Sequence, residues 1–281
     1  MKGGRSQNIE ARASGQQVEA GYTRRLLYDI RRNQCQVSLN ASGGRMLFLF
    51  DIDGTLLRGM PPAHRMAICD AAEQVYGVAV EPKRLGKTAG MTDYAIARRM
   101  LLDTGVSADA LESGLPAFFS AAADAYERHV PDDLRPYLTP HAITSLDWLN
   151  GHQAVLGLVT GNIERVAWRK LTAAHLNGYF SFGAFGDEAE LRDELPPRAI
   201  ARAEQIAARH FAPHEVFVVG DTPADIACGV ASHVRTIAVA TGPEHSLEDL
   251  YACQPTYVFT DLGGLLDAPL FGQSGTSNRA I

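Results

Sequence analysis

The chain has 281 residues, of which 46% are hydrophobic and 21% charged, so it can form one large domain or a core with a smaller domain, and a largely disordered protein is disfavoured. Its formal net charge of -6 provides no basic surface for nucleic acid, although a metal ion could still make one cleft attractive to a small anion. The sequence has no apolar run of ~18 residues, no secretory signal and no CxxC pair among its four cysteines, so we expect a cytoplasmic protein with reduced thiols, no membrane span and no zinc site.

The two ends of the chain differ in composition from the rest. Residues 1–44 are rich in Gly, Ser, Gln, Asn and Arg, and only residues 22–30 have the pattern of a short amphipathic helix. We expect this segment to be a poorly packed extension, since Met46 would itself make a natural start; its acidic residues make a transit peptide the weaker alternative. The Gly- and Ser-rich tail, residues 272–281, is predicted to be frayed.

Short continuous apolar runs begin at Met46. Runs of this length without polar alternation are typical of strands buried on both faces, as in a parallel sheet. The predicted strands are residues 46–50, 154–159, 216–219 and 236–240, with a weaker one at 257–259.

Helical segments separate these strands. Three of them follow residues that favour helix starts, namely Thr139-Pro140, Asn162 and Thr222. The alternation of strands and helices predicts an α/β fold built on a doubly wound parallel sheet. The predicted helices are residues 141–150, 163–176, 197–210 and 223–232.

Residues 58–135 interrupt this alternation, because their pattern is helical throughout. We interpret the segment as a helical cap domain inserted after the first strand and covering the edge of the sheet. Residues 45–57 and 136–271 would then form the α/β catalytic core. Within the cap, helices are predicted at residues 63–76, 93–102 and 115–130.

The segments that follow three predicted strands are rich in carboxylates, hydroxyls and glycines. They read DIDGT (51–55), TGN (160–162) and GDTPAD (220–225). Ligands of open α/β sheets bind outside the carboxyl ends of the strands, so these segments are expected to meet at one edge of the sheet.

Asp51 and Asp53 give the sharpest chemical signal. Two residues apart in an extended segment, their carboxylates share a face and repel each other unless a cation or a proton intervenes. A hard divalent ion, most simply Mg²⁺, removes the conflict, and one carboxylate can then attack phosphorus while its neighbour handles protons. The alternative is a turn that closes a strand, since Asp and Gly are common in turns.

Residues 51–56 (DIDGTL) resemble motif I, DxDGT(L/V), of the haloacid dehalogenase (HAD) superfamily, and the resemblance extends over about residues 46–265. It implies a HAD-type Rossmannoid core in which Asp51 is the nucleophile and a metal ligand. Asp53 would be the general acid/base, and its backbone carbonyl would be a further metal ligand. Because dehalogenases and ATPase relatives of the family lack this second acid, the resemblance implies a phosphatase or a phosphomutase.

Two further segments resemble later motifs of the family. Thr160, Gly161 and Asn162 resemble motif II, which binds the transferring phosphoryl oxygens; the tripeptide could also cap a helix, and Asn162 could do both. The segment GDTPAD resembles motif IV in its GDxxxD form. This implies that Asp221 coordinates Mg²⁺ and that Asp225 completes or orients the coordination shell.

Motif III is where the sequence departs from the family, which usually has a Lys upstream of motif IV. No Lys follows Lys170, and alignment of the Ala-rich helix puts Arg192 at the expected position, where it would steady Asp51 and the phosphoryl group. Arg198 is the second candidate, and Lys170, within the preceding helix, is a poorer one. The alternative for Arg192 is a solvated arginine at a helix edge.

The predicted cap contains a loop, GMTD (90–93), that resembles the G-x-T-D loop of phosphoglycolate-phosphatase-like members. The resemblance implies that Thr92 and Asp93 face the catalytic cleft; the alternative is that they only cap the following helix. Arg58 could meet substrate or brace the hinge. His64 and the other histidines show no ligand spacing and are expected to be structural or exposed.

Together these patterns predict a Mg²⁺-dependent phosphatase that hydrolyses a small phosphorylated metabolite through an aspartyl-phosphate. A phosphosugar mutase of the same fold is the first alternative, since the cap chooses the acceptor. A phospho-accepting signalling domain is a second, although it needs no Asp53, and a catalytically inactive relative is a third. No nucleic-acid or membrane partner is predicted, and the substrate and the oligomeric state stay open.

Overall fold

The computed structural model of the protein describes residues 45–271, so the predicted N-terminal extension and C-terminal tail lie outside the described residues. Six strands of that range form one sheet. All five predicted strands are confirmed to within one residue at each end, and the sequence pattern misses only the two-residue β3. The strands are β1 (Leu47–Phe50), β2 (Val155–Val159), β3 (Gly183–Ala184), β4 (Val216–Gly220), β5 (Arg235–Val239) and β6 (Tyr257–Phe259).

The sheet has the order β3-β2-β1-β4-β5-β6, and each neighbouring pair is parallel. β1 lies in the centre, where Leu47 is in register with Val155 of β2 and with Val216 of β4. All residues of β1 are fully buried, which explains the continuous apolar sequence LFLF. The parallel arrangement brings the carboxyl ends of the strands to one edge, as predicted.

Helices cover both faces of the sheet. Leu47 and Leu49 pack in the apolar cluster that contains Ala199, whereas Phe48 and Phe50 belong to the larger cluster on the other face. The predicted doubly wound α/β fold is therefore confirmed. The α-helices are α1 (Ala63–Tyr76), α2 (Asp93–Asp103), α3 (Ala108–His129), α4 (Ala142–Gly151), α5 (Glu164–Ala173), α6 (Leu195–Ala207), α7 (Pro223–Ala231), α8 (Leu247–Ala252) and α9 (Gly264–Asp267).

Some helices begin elsewhere than predicted. α3 starts at Ala108 rather than Leu115, because Ser107 caps it. Gly114, which the predicted bounds exclude, lies inside the helix, where a Cβ would meet the hydroxyl of Tyr76 at 2.6 Å. The sequence pattern does not indicate the short helices α8 and α9. None of the helices in residues 45–271 combines the length and the apolar character that a bilayer crossing requires.

Residues 58–135, all of them described, contain α1, α2 and α3 and no strand. α1 packs against α3: the rings of Tyr76 and Phe118 lie 6.2 Å apart, and the Tyr76 hydroxyl donates a hydrogen bond to the carbonyl oxygen of Leu111 at 2.9 Å. We call this segment the insertion. Its interpretation as a cap domain stays a prediction.

Candidate active site

Asp51 directly follows β1, and its backbone N–H donates to the carbonyl oxygen of Val219 at 2.9 Å. Its side chain is only 8% exposed, and its Oδ1 lies 3.1 Å from Nη2 of Arg192. The same Nη2 donates to Oδ1 of Asp225 at 2.5 Å. The structure thus places Arg192 beside the predicted nucleophile, whereas Arg198 is a surface residue paired with Glu194.

Asp51, Asp221 and Asp225 form an acidic group in which one carboxylate oxygen from each lies within 4.8 Å of the others. Asp221 follows β4 and accepts a hydrogen bond from Thr55 Oγ1 at 3.2 Å. Asp225 accepts two hydrogen bonds from Thr222, which caps α7 as predicted. We call Asp51, Asp221, Asp225 and Arg192 the Asp51 cluster.

The pKa values of this cluster show unrelieved negative charge. Burial raises the pKa of Asp51 to about 7, although Arg192 opposes the shift. Burial raises the pKa of Asp221 to about 9, and the neighbouring Asp225 and Asp51 add to the effect. Each carboxylate would be stabilised in its ionised form by a nearby cation, and a set of carboxylate oxygens is the donor set that hard divalent ions prefer.

Two glycines allow the backbone to pack against the Asp221 carboxylate. Gly54 has φ 91° and a Cβ there would lie 2.1 Å from Asp221 Oδ2. A Cβ at Gly242 would lie 1.7 Å from the same oxygen. The glycine of the DxDG segment is therefore required both by the left-handed backbone and by the close approach of the carboxylate.

Asp53 lies beside a second buried cation. Lys170 Nζ donates to Asp53 Oδ2 at 2.6 Å and to Oδ1 at 2.8 Å. The Lys170 side chain is 1% exposed, whereas that of Asp53 is 40% exposed and lines the cleft. Partial burial would raise the pKa of Asp53, but the Lys170 ammonium outweighs it, so this pKa lies below its usual value.

Lys170 is the residue that the sequence interpretation undervalued. It lies on α5 at helical spacing from Val166 and Ala167, on the side of the helix that is buried. A lysine among apolar positions on a buried helix face needs a partner, because an isolated ammonium is costly to remove from water. That signal is present in the sequence, whereas the identity of the partner, Asp53, is not.

One of the two roles proposed for Asn162 was to cap α5, and its side chain does not do so. The helix begins after Ile163, which has no capping side chain. Asn162 Nδ2 instead donates to Asp53 Oδ2 and to Thr160 Oγ1, both at 2.7 Å, and its Oδ1 accepts from Lys170 at 2.6 Å. Thr160 is fully buried, and Gly161 and Asn162 rather than Thr160 line the cleft.

The start of α5 is capped from elsewhere in the chain. Asp93, in the insertion, accepts a hydrogen bond from the N–H of Ile163 at 2.8 Å through Oδ2. Asp187 accepts from the N–H of Glu164 at 3.0 Å. Because carboxylates stabilise the positive end of a helix dipole, the insertion supplies part of what the core helix needs.

The loop of residues 90–94 joins the insertion to the core through its backbone as well. The N–H of Asp93 donates to Gly161 O at 2.7 Å, and the N–H of Tyr94 donates to Gly186 O at 2.9 Å. Thr92 caps α2 and also donates to Glu190 O at 2.8 Å. Thr92 caps a helix and does not line the cleft, whereas Asp93 does, and a role of this loop toward substrate stays a prediction.

His64, which was expected to be structural or exposed, is half-buried and lies at the cleft. Its ring lies in the cleft wall, with Nε2 2.9 Å from Asp93 Oδ2 and Nδ1 3.5 Å from Lys170 Nζ. The Lys170 ammonium can only donate, so His64 Nδ1 is the acceptor of that contact. We call Asp53, Lys170, Asn162 and His64 the Asp53 cluster.

The two clusters open into one cleft of about 330 Å³. Its remaining wall comes from the insertion and from the loop that carries Pro243 and Glu244. Arg58 is exposed and lines the cleft, and its backbone N–H donates to Tyr137 O at 2.8 Å; its role toward substrate or hinge stays a prediction. Other residues that line the cleft are Met60, Arg65, Thr88, Met91 and Tyr126.

The chain is an α/β protein with a doubly wound parallel sheet and two aspartates just after its central strand. Residues 48–239 match the model of the haloacid dehalogenase-like hydrolase family, and the chain belongs to this family. The predicted enzyme class is thereby confirmed.

Individual relatives support the same subgroup. The phosphoglycolate phosphatase of Escherichia coli O157:H7 is 25% identical over 232 residues, covering 78% of this chain and 90% of that protein. The phosphoglycolate phosphatase of Chromobacterium violaceum is 27% identical over 197 residues, covering 69% and 84%. The solved structure of β-phosphoglucomutase from Clostridium difficile has a TM-score of 0.59 at 15% identity, covering 79% of this chain and 93% of that one, which shows the fold alone. The predicted resemblance to phosphoglycolate-phosphatase-like members is confirmed.

Proposed function

We propose that the protein is a Mg²⁺-dependent phosphatase that hydrolyses a small organic phosphomonoester through an aspartyl-phosphate on Asp51. The observation that carries the proposal is the setting of Asp51. Its carboxylate lies 3.1 Å from the Arg192 guanidinium on one side and within the acidic group of Asp221 and Asp225 on the other. A nucleophilic carboxylate needs both, because the attacking group and the phosphoryl group are negative.

The acidic group fits Mg²⁺. Asp51, Asp221 and the backbone carbonyl of Asp53 would hold the ion, whereas Asp225 would orient the site, since both of its oxygens already accept hydrogen bonds. The raised pKa values of Asp51 and Asp221 indicate that a cation relieves the repulsion there. When bound, Mg²⁺ would neutralise the carboxylates and the phosphoryl oxygens.

In the first step, an Asp51 oxygen forms a bond to phosphorus while the bond from phosphorus to the leaving oxygen breaks. Asp53 transfers a proton to the leaving oxygen. Because Lys170 lowers its pKa, Asp53 is ionised at rest and must first gain that proton, which the monoanion of a phosphomonoester can supply, as its second pKa is about 6. Arg192 and Gly161, which both line the cleft, would hold the phosphoryl oxygens, whereas Thr160 is buried.

In the second step, a water oxygen attacks phosphorus and the bond from phosphorus to Asp51 breaks. Asp53 accepts the proton of the water, which is the reverse of its first role. Phosphate leaves and takes this proton from Asp53, so Asp51 and Asp53 are both regenerated as carboxylates. The insertion would act as the cap that excludes bulk water, because its 90–94 loop closes the cleft against the core.

The size of the cleft favours a small substrate. A volume of about 330 Å³ lies at the lower end of the usual range for ligand sites. The relatives that are named phosphoglycolate phosphatases support a substrate of that kind, a short organic acid or alcohol carrying one phosphate. A small phosphorylated metabolite is therefore the proposed partner.

A phosphate-release screen over small phosphomonoesters, phosphoglycolate included, tests the proposal. We expect release with Mg²⁺ and none with a chelator. The Asp51→Asn variant should lose activity by about 10⁴-fold or more while it keeps its circular-dichroism spectrum. Asp103→Asn, at an exposed position, is the matched control and should be fully active. Equal turnover by Asp51→Asn would refute the mechanism, and a rearranged phosphosugar without phosphate release would favour the mutase.

A further inference from the structure

Lys170 is a buried charge whose partners all lie at the cleft. Its side chain is 1% exposed, yet Asp53, which it holds by two hydrogen bonds, is 40% exposed and lines the cleft. Replacing a whole buried ion pair by apolar side chains is often neutral or stabilising, so packing alone does not require a charged pair at this position. The contacts of Lys170 therefore indicate a function in the site.

The hydrogen-bonding capacity of the Lys170 ammonium is filled. Its acceptors are Asp53, Asn162 Oδ1 at 2.6 Å and His64 Nδ1 at 3.5 Å, and an ammonium has three hydrogens to donate. The Tyr126 ring lies on a further side, with its centroid 5.7 Å from Nζ. Lys170 is thus committed to Asp53 and has no donor left for the phosphoryl group, which distinguishes it from Arg192.

The carboxylate of Asp53 is correspondingly fixed. Oδ2 accepts from Lys170 at 2.6 Å and from Asn162 Nδ2 at 2.7 Å, and Oδ1 accepts from Lys170 at 2.8 Å. Two donors from one helix and the loop before it determine both the rotation and the tilt of the carboxylate plane. An acid/base group held in this way loses little time in unproductive orientations.

The insertion completes this arrangement. His64 of α1 bridges Lys170 and Asp93, and Asp93 in turn caps the helix that carries Lys170. Tyr126 of α3 covers the ammonium. Lys170, a core residue, therefore has its full set of contacts only when the insertion is docked on the core.

We infer that Lys170 is a positioning residue that, with Asn162 and His64, holds Asp53 in the orientation from which it serves the leaving group. The inference rests on the proposed function, in which Asp53 protonates the leaving oxygen and later activates water. It predicts that loss of Lys170 lowers kcat/KM most for substrates whose leaving oxygen must be protonated.

The leaving group provides the test. An alkyl phosphate from the screen needs a proton on its leaving oxygen, whereas 4-nitrophenyl phosphate expels a weakly basic phenolate and does not. kcat/KM reports the steps up to formation of the aspartyl-phosphate, so it isolates the leaving-group step from the later attack of water. kcat/KM is therefore measured for both substrates in the wild type, Asp53→Asn, Lys170→Met and Arg169→Met.

For Lys170→Met we expect kcat/KM for the alkyl phosphate to fall by about 10²-fold or more, and that for 4-nitrophenyl phosphate by less than about 10-fold. Asp53→Asn should show the same pattern, and the double variant should be no worse than Asp53→Asn alone, because the two residues act as a unit. Arg169→Met, which removes the neighbouring cation paired with Glu127 on the surface, should behave as the wild type.

The inference is wrong if Lys170→Met lowers kcat/KM equally for both substrates, or if it acts through KM alone. If Lys170→Met does not fold, Lys170→Gln, which keeps a donor, is measured against the same criteria. The outcomes also separate the two proposals. A wild type that hydrolyses no phosphomonoester refutes the proposed function, whereas an active wild type with a uniform loss in Lys170→Met refutes only the role of Lys170.

Discussion

The two halves of the site pair an aspartate with a buried cation in different ways. The Asp51 cluster is made by core segments, and its guanidinium comes from the turn before α6. The Asp53 cluster takes one member, His64, from the insertion. Asp93 of the insertion caps α5, the helix that carries Lys170. The Asp51 cluster therefore contains no residue of the insertion, whereas the Asp53 cluster depends on its docking.

The charge balance of the two clusters differs as well. The Asp51 cluster has three carboxylates for one guanidinium, and the pKa values of Asp51 and Asp221 are raised by burial. The Asp53 cluster has one carboxylate for one ammonium, and the pKa of Asp53 is lowered. The charge balance therefore favours a divalent cation in the first cluster, whereas in the second the ammonium already balances the carboxylate.

Removal of Arg192 should break the Asp51 cluster and leave the Asp53 cluster in place. Arg192→Ala leaves buried carboxylates without their cation, so we expect a loss of about 3–5 kcal/mol in unfolding free energy, measured in urea. We also expect a fall of roughly 10²–10³-fold in kcat, because a donor to the phosphoryl group is lost. Arg192→Lys should recover part of the activity.

Arg198→Ala is the matched control for Arg192. Arg198 forms an exposed pair with Glu194 at 2.9 Å, and pairs of this kind contribute about 0.3–0.5 kcal/mol. If Arg198→Ala were the more damaging change, the placement of motif III at Arg192 would be wrong.

The sequence predicts one cluster much better than the other. Strand ends and motif spacing identify Asp51, Asp221 and Asp225, because residues that follow parallel strands must meet at one edge. The sequence also identifies Arg192, because it lies just before the Ala-rich helix that follows motif III. The contacts of Lys170 and His64 depend on how the insertion docks, which is a long-range event that local pattern does not encode. The same limit explains why Asn162 was proposed as a cap, since two distant carboxylates take that role.

The Mg²⁺ dependence of stability should follow the Asp51 cluster. The folded pKa values of Asp51 and Asp221, about 7 and about 9, lie above the unfolded value of 3.8. The folded state therefore holds more protons, and without divalent ions the free energy of unfolding should fall as pH rises through this window. Mg²⁺ at about 100 times its Kd should raise Tm by roughly 5–10 °C, and by more at pH 8 than at pH 5.

Asp221→Asn is the comparison variant for this measurement. It removes one of the mutually repelling carboxylates, so the decline of stability with pH should be weaker and most of the Mg²⁺ shift should disappear. Thermal melts at several pH values, with Mg²⁺ or a chelator, show the difference. A Mg²⁺ shift that is the same in Asp221→Asn and the wild type would place the metal elsewhere.

A change at Gly186 should disturb the docking of the insertion and spare the metal side. A Cβ at Gly186 would lie 1.7 Å from the Gly161 carbonyl oxygen, which accepts the hydrogen bond from Asp93 N–H. Gly186→Ala should cost about 1–3 kcal/mol in unfolding free energy and lower kcat/KM, while the Tm shift on Mg²⁺ addition persists. Gly178→Ala, where nothing lies within 4 Å, is the control. Loss of the Mg²⁺ shift in Gly186→Ala would mean that the two clusters are not independent.

The smallest effect is expected from the surface ion pairs between the core and the insertion. Arg165 of α5 donates to Asp124 of α3 at 2.8 Å, but both side chains are 56% exposed. A double-mutant cycle with Arg165→Ala and Asp124→Ala should give a coupling below about 1 kcal/mol that shrinks in high salt, and kcat/KM should be almost unchanged. A larger coupling, or a marked loss of activity, would mean that surface charge rather than the backbone contacts of the 90–94 loop holds the insertion closed, and the dependence of the Asp53 cluster on those contacts would have to be abandoned.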